Sequence, residues 1–113
     1  MKMIIAYIKP NMLSKVAMAL HNLEELTGLS VTNVQGFGRH RAKGAQDRII
    51  ENMVEYVPHI KMEIFCKDAL ANRITAVIME NARTGLRGDG KVYVMSVAGA
   101  IRISTGEKGE NAI

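Results

Sequence analysis

The sequence predicts an α+β domain with a ferredoxin-like, split βαβ fold, and three observations lead there. Two stretches carry apolar residues at three- and four-residue spacing, the mark of an amphipathic helix. Each is flanked by short runs rich in β-branched residues, which read as strands. Their order along the chain is strand, helix, strand, long connection, strand, helix, strand. Such an order folds into one antiparallel sheet with both helices on one face. At 113 residues the chain supports one core, so residues 1–113 are read as a single domain.

The elements follow in turn. Met3 to Lys9 is an isoleucine-rich run closed by Pro10, a buried first strand. Leu13, Val16, Leu20 and Leu23 form the stripe of the first helix, with Asn11 or Ser14 as its cap and Gly28 placed to stop it. Leu29 to Gln35 is a second strand, punctuated by Gly36-Phe37-Gly38. From Arg39 to about Asn52 polar residues dominate without a period, a connection long enough in so small a domain to imply function. Ile60 to Phe65 alternates as a strand with one wet face, and Leu70, Ile74, Val77 and Ile78 mark a second helix from Asp68 to Ala82. Val92, Val94 and Val97 give a fourth strand, and Ala100 to Ser104 a short fifth before a polar tail. The sheet face away from the helices, expected to carry Tyr7 and Met62, needs a cover, which favours a homo-oligomer.

Composition narrows the function. Hydrophobic residues are 48% and charged residues 23%, as in globular domains. A single cysteine, Cys66, makes neither an internal disulfide nor a cysteine-based metal site, and a reducing cytoplasm is the default compartment. No apolar run approaches the roughly 18 residues of a membrane span. The net charge is +4, and the ten residues from Arg39 to Arg48 carry +3 of it. The basic character is therefore local. With no tryptophan and few aromatics, a stacking platform for single-stranded nucleic acid is disfavoured.

The densest glycine cluster is Thr84-Gly85-Leu86-Arg87-Gly88-Asp89-Gly90-Lys91. It imitates the start of a P-loop, but Val92 replaces the magnesium-holding hydroxyl, and the loop follows a helix where a P-loop follows a strand. Glycine amides with Arg87 and Lys91 suit an anion. An ordinary turn with glycines at positive φ accounts for the same residues, and spacing does not choose between them. Gly36-Phe37-Gly38-Arg39 is a second glycine pair with a base, and Arg102 is an isolated cation, either snorkelling or paired with a carboxylate. His21 belongs with Glu24 and Glu25 to a solvated helix face, while His40 and His59 flank the long connection without a metal-ligand spacing. No nucleophile with its base can be assigned.

Taken together, three ordered segments resemble the PII nitrogen-regulatory signal-transduction proteins. They are Val31 to Arg39, then Ala82 to Gly85 with Gly88 to Lys91, then Ala100 to Ile103 with Thr105-Gly106-Glu107. The likeness runs the length of the chain. It implies a cytoplasmic homotrimer that binds ATP or ADP in clefts between subunits, with Mg2+ as a companion ion. A T-loop, about residues 38–56, would dock on a partner such as an ammonium channel, another membrane transporter or a regulated enzyme. Carried over by residue, Gly36, Gly38 and Arg39 fall at the nucleotide cleft and T-loop base. Gly88, Asp89, Gly90 and Lys91 fall at the phosphates, Arg102 adds charge, and Ser30 and Phe65 line the adenine pocket. Arg41, Lys43, Arg48, Ile49, Ile50 and Asn52 are the partner-facing T-loop residues.

The chain also departs from that family. Asp47-Arg48-Ile49-Ile50-Glu51-Asn52 replaces the segment holding the uridylylated tyrosine, and the loop has no serine, so modification at the family's sites is not expected. His40 stands for the glutamine that helps hold magnesium and 2-oxoglutarate, and His59 for the lysine that grips 2-oxoglutarate. These leave 2-oxoglutarate, or a metal, as open ligands near the two histidines. Ser104 replaces a second arginine at the phosphates. Such departures resemble branches tied to other transport systems, including metal efflux. A nucleotide-hydrolysing enzyme using His40 or His59 as base, and a nucleic-acid binder using the basic loop, rank below the regulator.

Overall fold

A computed structural model describes residues 1–38 and 56–113. Six elements follow one another: β1 (Lys2–Ile8), α1 (Leu13–His21), β2 (Ser30–Gly36), β3 (Val57–Cys66), α2 (Asp68–Ala82) and β4 (Lys91–Ser96). Short 3-10 turns at Pro10–Met12 and Gly109–Ala112 complete the described secondary structure. The sheet order is β2-β3-β1-β4, every neighbouring pair antiparallel. This is the split βαβ order the periodicities predict.

Alternation along β1 sorts the sheet into two faces. Ile4, Ala6 and Ile8 are buried, and so are their β3 partners Ile64, Met62 and Ile60. On α2, Leu70, Ala71, Ile74, Ile78 and Ala82 recur at helical spacing and bury, and Val16 and Leu20 of α1 join them. All lie in one cluster, so both helices cover the same face. Each fully buried aliphatic side chain contributes about 1.5–3 kcal/mol through apolar burial.

The opposite face holds Met3, Ile5 and Tyr7 of β1 with their β3 partners Phe65, Glu63 and Lys61 and their β4 partners Met95, Tyr93 and Lys91. Phe65, Tyr93 and Met95 are exposed on it, and the Tyr7 and Tyr93 rings meet edge to face with centroids 6.2 Å apart. Tyr7 is thus where the alternation predicts. Met62 is not: its partner is Ala6, so it faces the helices and is fully buried.

Other boundaries also shift. α1 ends at His21, well before Gly28. There the chain passes into tight turns, Leu23 N–H to Leu20 O at 3.0 Å and Leu26 N–H to Leu23 O at 3.1 Å. Those turns bring both Leu23 and Leu26 against the core. Neither Asn11 nor Ser14 caps the helix: Met12 occupies the cap position without a side-chain bond. β3 starts at Val57 and therefore includes Pro58 and His59. The expected fifth strand is one isolated bridge, Ile101 with Lys108, closed by Arg102 N–H to Glu107 O at 2.9 Å and Gly106 N–H to Arg102 O at 2.7 Å. A turn this tight leaves no length for a ladder.

Ile74 sits at the centre of the core with no exposed surface. Ile74→Ala should lower unfolding free energy by about 2–5 kcal/mol. Denaturant titration at one fixed chain concentration measures this, and a loss below 1 kcal/mol would contradict the core as described.

Candidate functional site

Between α2 and β4 the chain turns through Thr84 to Gly90, and the fold of this turn is built around one carboxylate. Asp89 accepts hydrogen bonds from the Thr84 hydroxyl, from Thr84 N–H at 3.0 Å and from Gly85 N–H at 3.1 Å. Lys9 Nζ, at the end of β1, lies 3.2 Å from Asp89 Oδ1 and donates to Thr84 Oγ1 at 3.0 Å. Leu86 N–H donates to the same Thr84 oxygen at 3.1 Å. The Thr84 hydroxyl above all, then the Thr84 amide, Lys9 and the Gly85 amide hold the Asp89 carboxyl well below the usual carboxylate range, against the effect of burial.

The N–H groups of residues 84 to 86 thus turn inward. The chain then makes a tight turn through Arg87 and Gly88, both exposed, before Asp89 and Gly90 lead into β4. A glycine-containing turn with exposed backbone beside Arg87 and Lys91 is of a kind suited to an anion. Gly85, Gly88 and Gly90 all have positive φ, so the turn reading of these glycines also holds. Gly90 carries the severest constraint. A Cβ there would stand 1.7 Å from the Tyr7 carbonyl oxygen, so only glycine lets β4 start directly beside β1.

The open face of the sheet brings the two glycine motifs together. A cavity of about 510 Å³ is bordered by Gly36 and Gly38 from the end of β2, His59 from β3, and Gly90 and Lys91 from the turn. Lys61, Tyr7 and Tyr93 form its floor, where β3, β1 and β4 run side by side. Lys91 gives it positive charge, while Lys61 is paired with Glu63, Nζ to Oε1 3.2 Å. His59 places Nδ1 3.2 Å from the Val57 carbonyl, a contact that only an Nδ1–H can make, leaving Nε2 for another partner. At the rim, the Phe37 and Tyr56 rings meet edge to face with centroids 5.8 Å apart and bracket the segment 39–55.

Ser30 and Phe65 border a different cavity, of about 550 Å³, with Gly28, Glu63, Ala100 and Ile101. From His59 to Phe65 is six residues of extended strand, about 20 Å. The expected adenine-pocket residues and the expected phosphate residues therefore sit at opposite ends of one sheet face. Arg102 is paired with a carboxylate: Nη1 is 3.1 Å from Glu107 Oε1, and Nη2 donates to Asn111 O at 3.1 Å. Arg39, His40, Arg41, Lys43, Arg48, Ile49, Ile50 and Asn52 lie outside the described residues. His21, Glu24 and Glu25 are exposed, as a solvated helix end requires. Among the described residues no three His, Cys, Asp or Glu side chains are grouped to hold a metal, and no helix is long and apolar enough to cross a membrane.

Sequence reasoning missed Lys9 and the Thr84 hydroxyl as parts of the site. A lysine before a proline at a strand end carries no signal of its own. Only the return of the chain between α2 and β4 puts Asp89 beside it.

The fold is a small split βαβ domain in which two glycine motifs and Lys91 border one cleft. The sequence pattern of the family described as "Nitrogen regulatory protein P-II" matches residues 1–107. The chain is 43% identical over 113 residues to the nitrogen regulatory protein P-II of Rhodospirillum rubrum. It is 44% identical to that of Pasteurella multocida and 42% to nitrogen regulatory protein P-II 1 of Escherichia coli K12. In all three cases both chains are covered completely. This chain belongs to the P-II family of nitrogen regulatory proteins.

Two measurements test the turn. Gly90→Ala should destabilise by more than the roughly 1–3 kcal/mol of a strained positive φ, because a backbone oxygen must also move. Gly85→Ala, whose Cβ would meet nothing within 4 Å, should show the strain alone. Denaturation of the two variants side by side gives the difference, and equal losses would contradict the contact with Tyr7. Asp89 has a lowered folded-state pKa, so its contribution to stability is full at neutral pH. That contribution fades as pH falls below the ordinary carboxylate value near ~4. Wild type should therefore unfold at a higher temperature than Asp89→Asn at pH 7, with the gap narrowing by pH 3.

Proposed function

We propose that this chain is a P-II-type signal-transduction regulator that binds ATP or ADP and controls a partner protein through its T-loop. The observation that supports the reading is the convergence of Gly36, Gly38, Gly90 and Lys91 on one cleft where the glycine turn ends. Glycine amides and a lysine fit phosphate oxygens, and a nucleotide's negative charge meets Lys91 there. Arg39, next to Gly38 in the sequence, adds to that charge in this reading.

Ser30 and Phe65 supply an apolar-walled cavity for a base, but at the other end of the sheet face. A nucleotide that uses both ends draws them from two copies of the chain. Exposed Phe65, Tyr93 and Met95 on the same face favour such association, and a closed ring of three copies is the assembly proposed. The T-loop, 38–56, springs from the mouth of the phosphate end, so occupancy of the cleft and the shape of the loop are coupled there. That coupling is what a regulator of a transporter or an enzyme needs. His59 brings one ring nitrogen to the cleft where the family has a lysine. Magnesium would be a companion of the phosphates, and 2-oxoglutarate has a weaker claim because His59 offers no permanent charge.

Calorimetric titration with ATP and with ADP tests the reading. Micromolar or tighter binding of at least one is expected, and Lys91→Ala should weaken it by about 2–3 kcal/mol, the worth of one charge-assisted contact. No binding of either nucleotide to the folded protein would sink the regulator as described. Sedimentation of the same sample should give three chains per particle.

A further inference from the structure

Lys9 is the nearest cation to Asp89, yet its position is not that of a ligand-binding lysine. Its side chain is 21% exposed, and its ammonium is engaged by both Asp89 and Thr84. The stem lies along the turn, with Cε 3.6 Å from where a Gly88 side chain would begin. The backbone is equally fixed, because the Lys9 carbonyl accepts from Met12 N–H at 3.0 Å and Pro10 follows.

The turn meanwhile contains a problem for any polyanion. Asp89 is ionised, and it directly precedes Gly90 and Lys91, which border the cleft. An uncompensated carboxylate one residue from a phosphate would repel it, and the repulsion rises with phosphate charge. Thr84 and Gly85 solvate that carboxylate with three hydrogen bonds but bring no charge. Lys9 alone, among the described residues, brings a cation into contact with it.

We propose that Lys9 is a positioning residue of the nucleotide cleft: it neutralises Asp89 within the turn, so that Gly90 and Lys91 meet a phosphate without a competing negative charge beside them. Lys9 then acts through Asp89 and does not touch the ligand. This rests on the nucleotide reading above, and the test separates the two. In the absence of Lys9 the Thr84 and Gly85 donors still favour the ionised carboxylate, so the charge persists and the cleft becomes selective against the more highly charged ligand.

The experiment is a double-mutant cycle read by calorimetric titration with ATP and with ADP. The proteins are wild type, Lys9→Met, Lys9→Gln, Asp89→Asn and the Lys9→Met/Asp89→Asn double variant. Lys9→Met should weaken ATP on the order of tenfold and ADP clearly less. Lys9→Gln keeps the hydrogen bonds to Thr84 and Asp89 without the charge, and should lose as much as Lys9→Met; it also serves if the methionine variant folds poorly. In the Asp89→Asn background, Lys9→Met should change ATP affinity less than about twofold, because the charge it compensates is gone. A loss that persists in that background would make Lys9 a direct phosphate ligand and overturn the proposal. Full rescue by Gln, or equal losses for ATP and ADP, would make it a structural prop and overturn it as well. Wild type binding neither nucleotide would remove the nucleotide reading itself and this proposal with it, an outcome distinct from normal wild-type binding with an unaffected Lys9 variant.

Discussion

Asp89 ties together two parts of the chain that are remote in sequence, its own turn and the end of β1. Its carboxylate takes donors from Thr84 and Gly85 at the end of α2 and meets the ammonium of Lys9 at the end of β1. One residue on, Gly90 passes so close to the Tyr7 carbonyl that no side chain fits. These two contacts act on the same piece of backbone from its two sides. They set where β4 begins, and with it the register that puts Lys91 opposite Tyr7 and Tyr93 opposite Ile5. The cleft on the open face follows, since Tyr7, Lys91 and Tyr93 border it. A carboxylate paired and solvated inside a turn is costly to leave half-satisfied, which makes the turn conformation specific as well as stable.

The core gives this arrangement its rigidity. β1 lies between β3 and β4, and its buried side chains pack beneath α2. Its other face supplies the cleft floor. The strand that organises the core is therefore also the strand that positions the site, through alternate residues. Ile4, Ala6 and Ile8 look inward, and Ile5 and Tyr7 look toward the cleft side. Lys9 continues beyond the last ladder pair and reaches the turn. Phe37 and Tyr56, which flank the segment 39–55 in the sequence, meet ring edge to ring face at the edge of the cleft.

The open face separates two cavities on one chain. The residues suited to phosphate and those suited to a base are separated by about 20 Å of β3, with exposed apolar side chains on the face between and around them. In the proposed assembly, apposition of copies covers those apolar groups and joins the two halves at once. The hydrophobic effect that associates the chains is then the same one that completes the ligand site.

Much was legible in the sequence, and for definite reasons. The helical stripe of Leu70, Ile74 and Ile78 and the β-branched runs state their periods directly, so α2 at roughly Asp68 to Ala82 and one antiparallel sheet with both helices on one face are readable from them. The glycine motifs, with the family likeness, named both sides of the cleft. What the sequence could not state was anything decided by apposition. Met62 and Tyr7 both sit in alternating strands, and only the register with Ala6 and Lys61 assigns one to the core and the other to the cleft. Leu23 lies outside α1 yet packs on the core, because a turn can deliver a side chain as well as a helix does. Asp89 read as a phosphate-loop residue until Lys9, 80 positions away in sequence, appeared against it. Periodicity is a local property and reaches the page through the residues themselves. The meeting of Lys9 with Asp89, and of Gly90 with Tyr7, depends on how the whole chain returns to its first strand, and only the tertiary structure decides that.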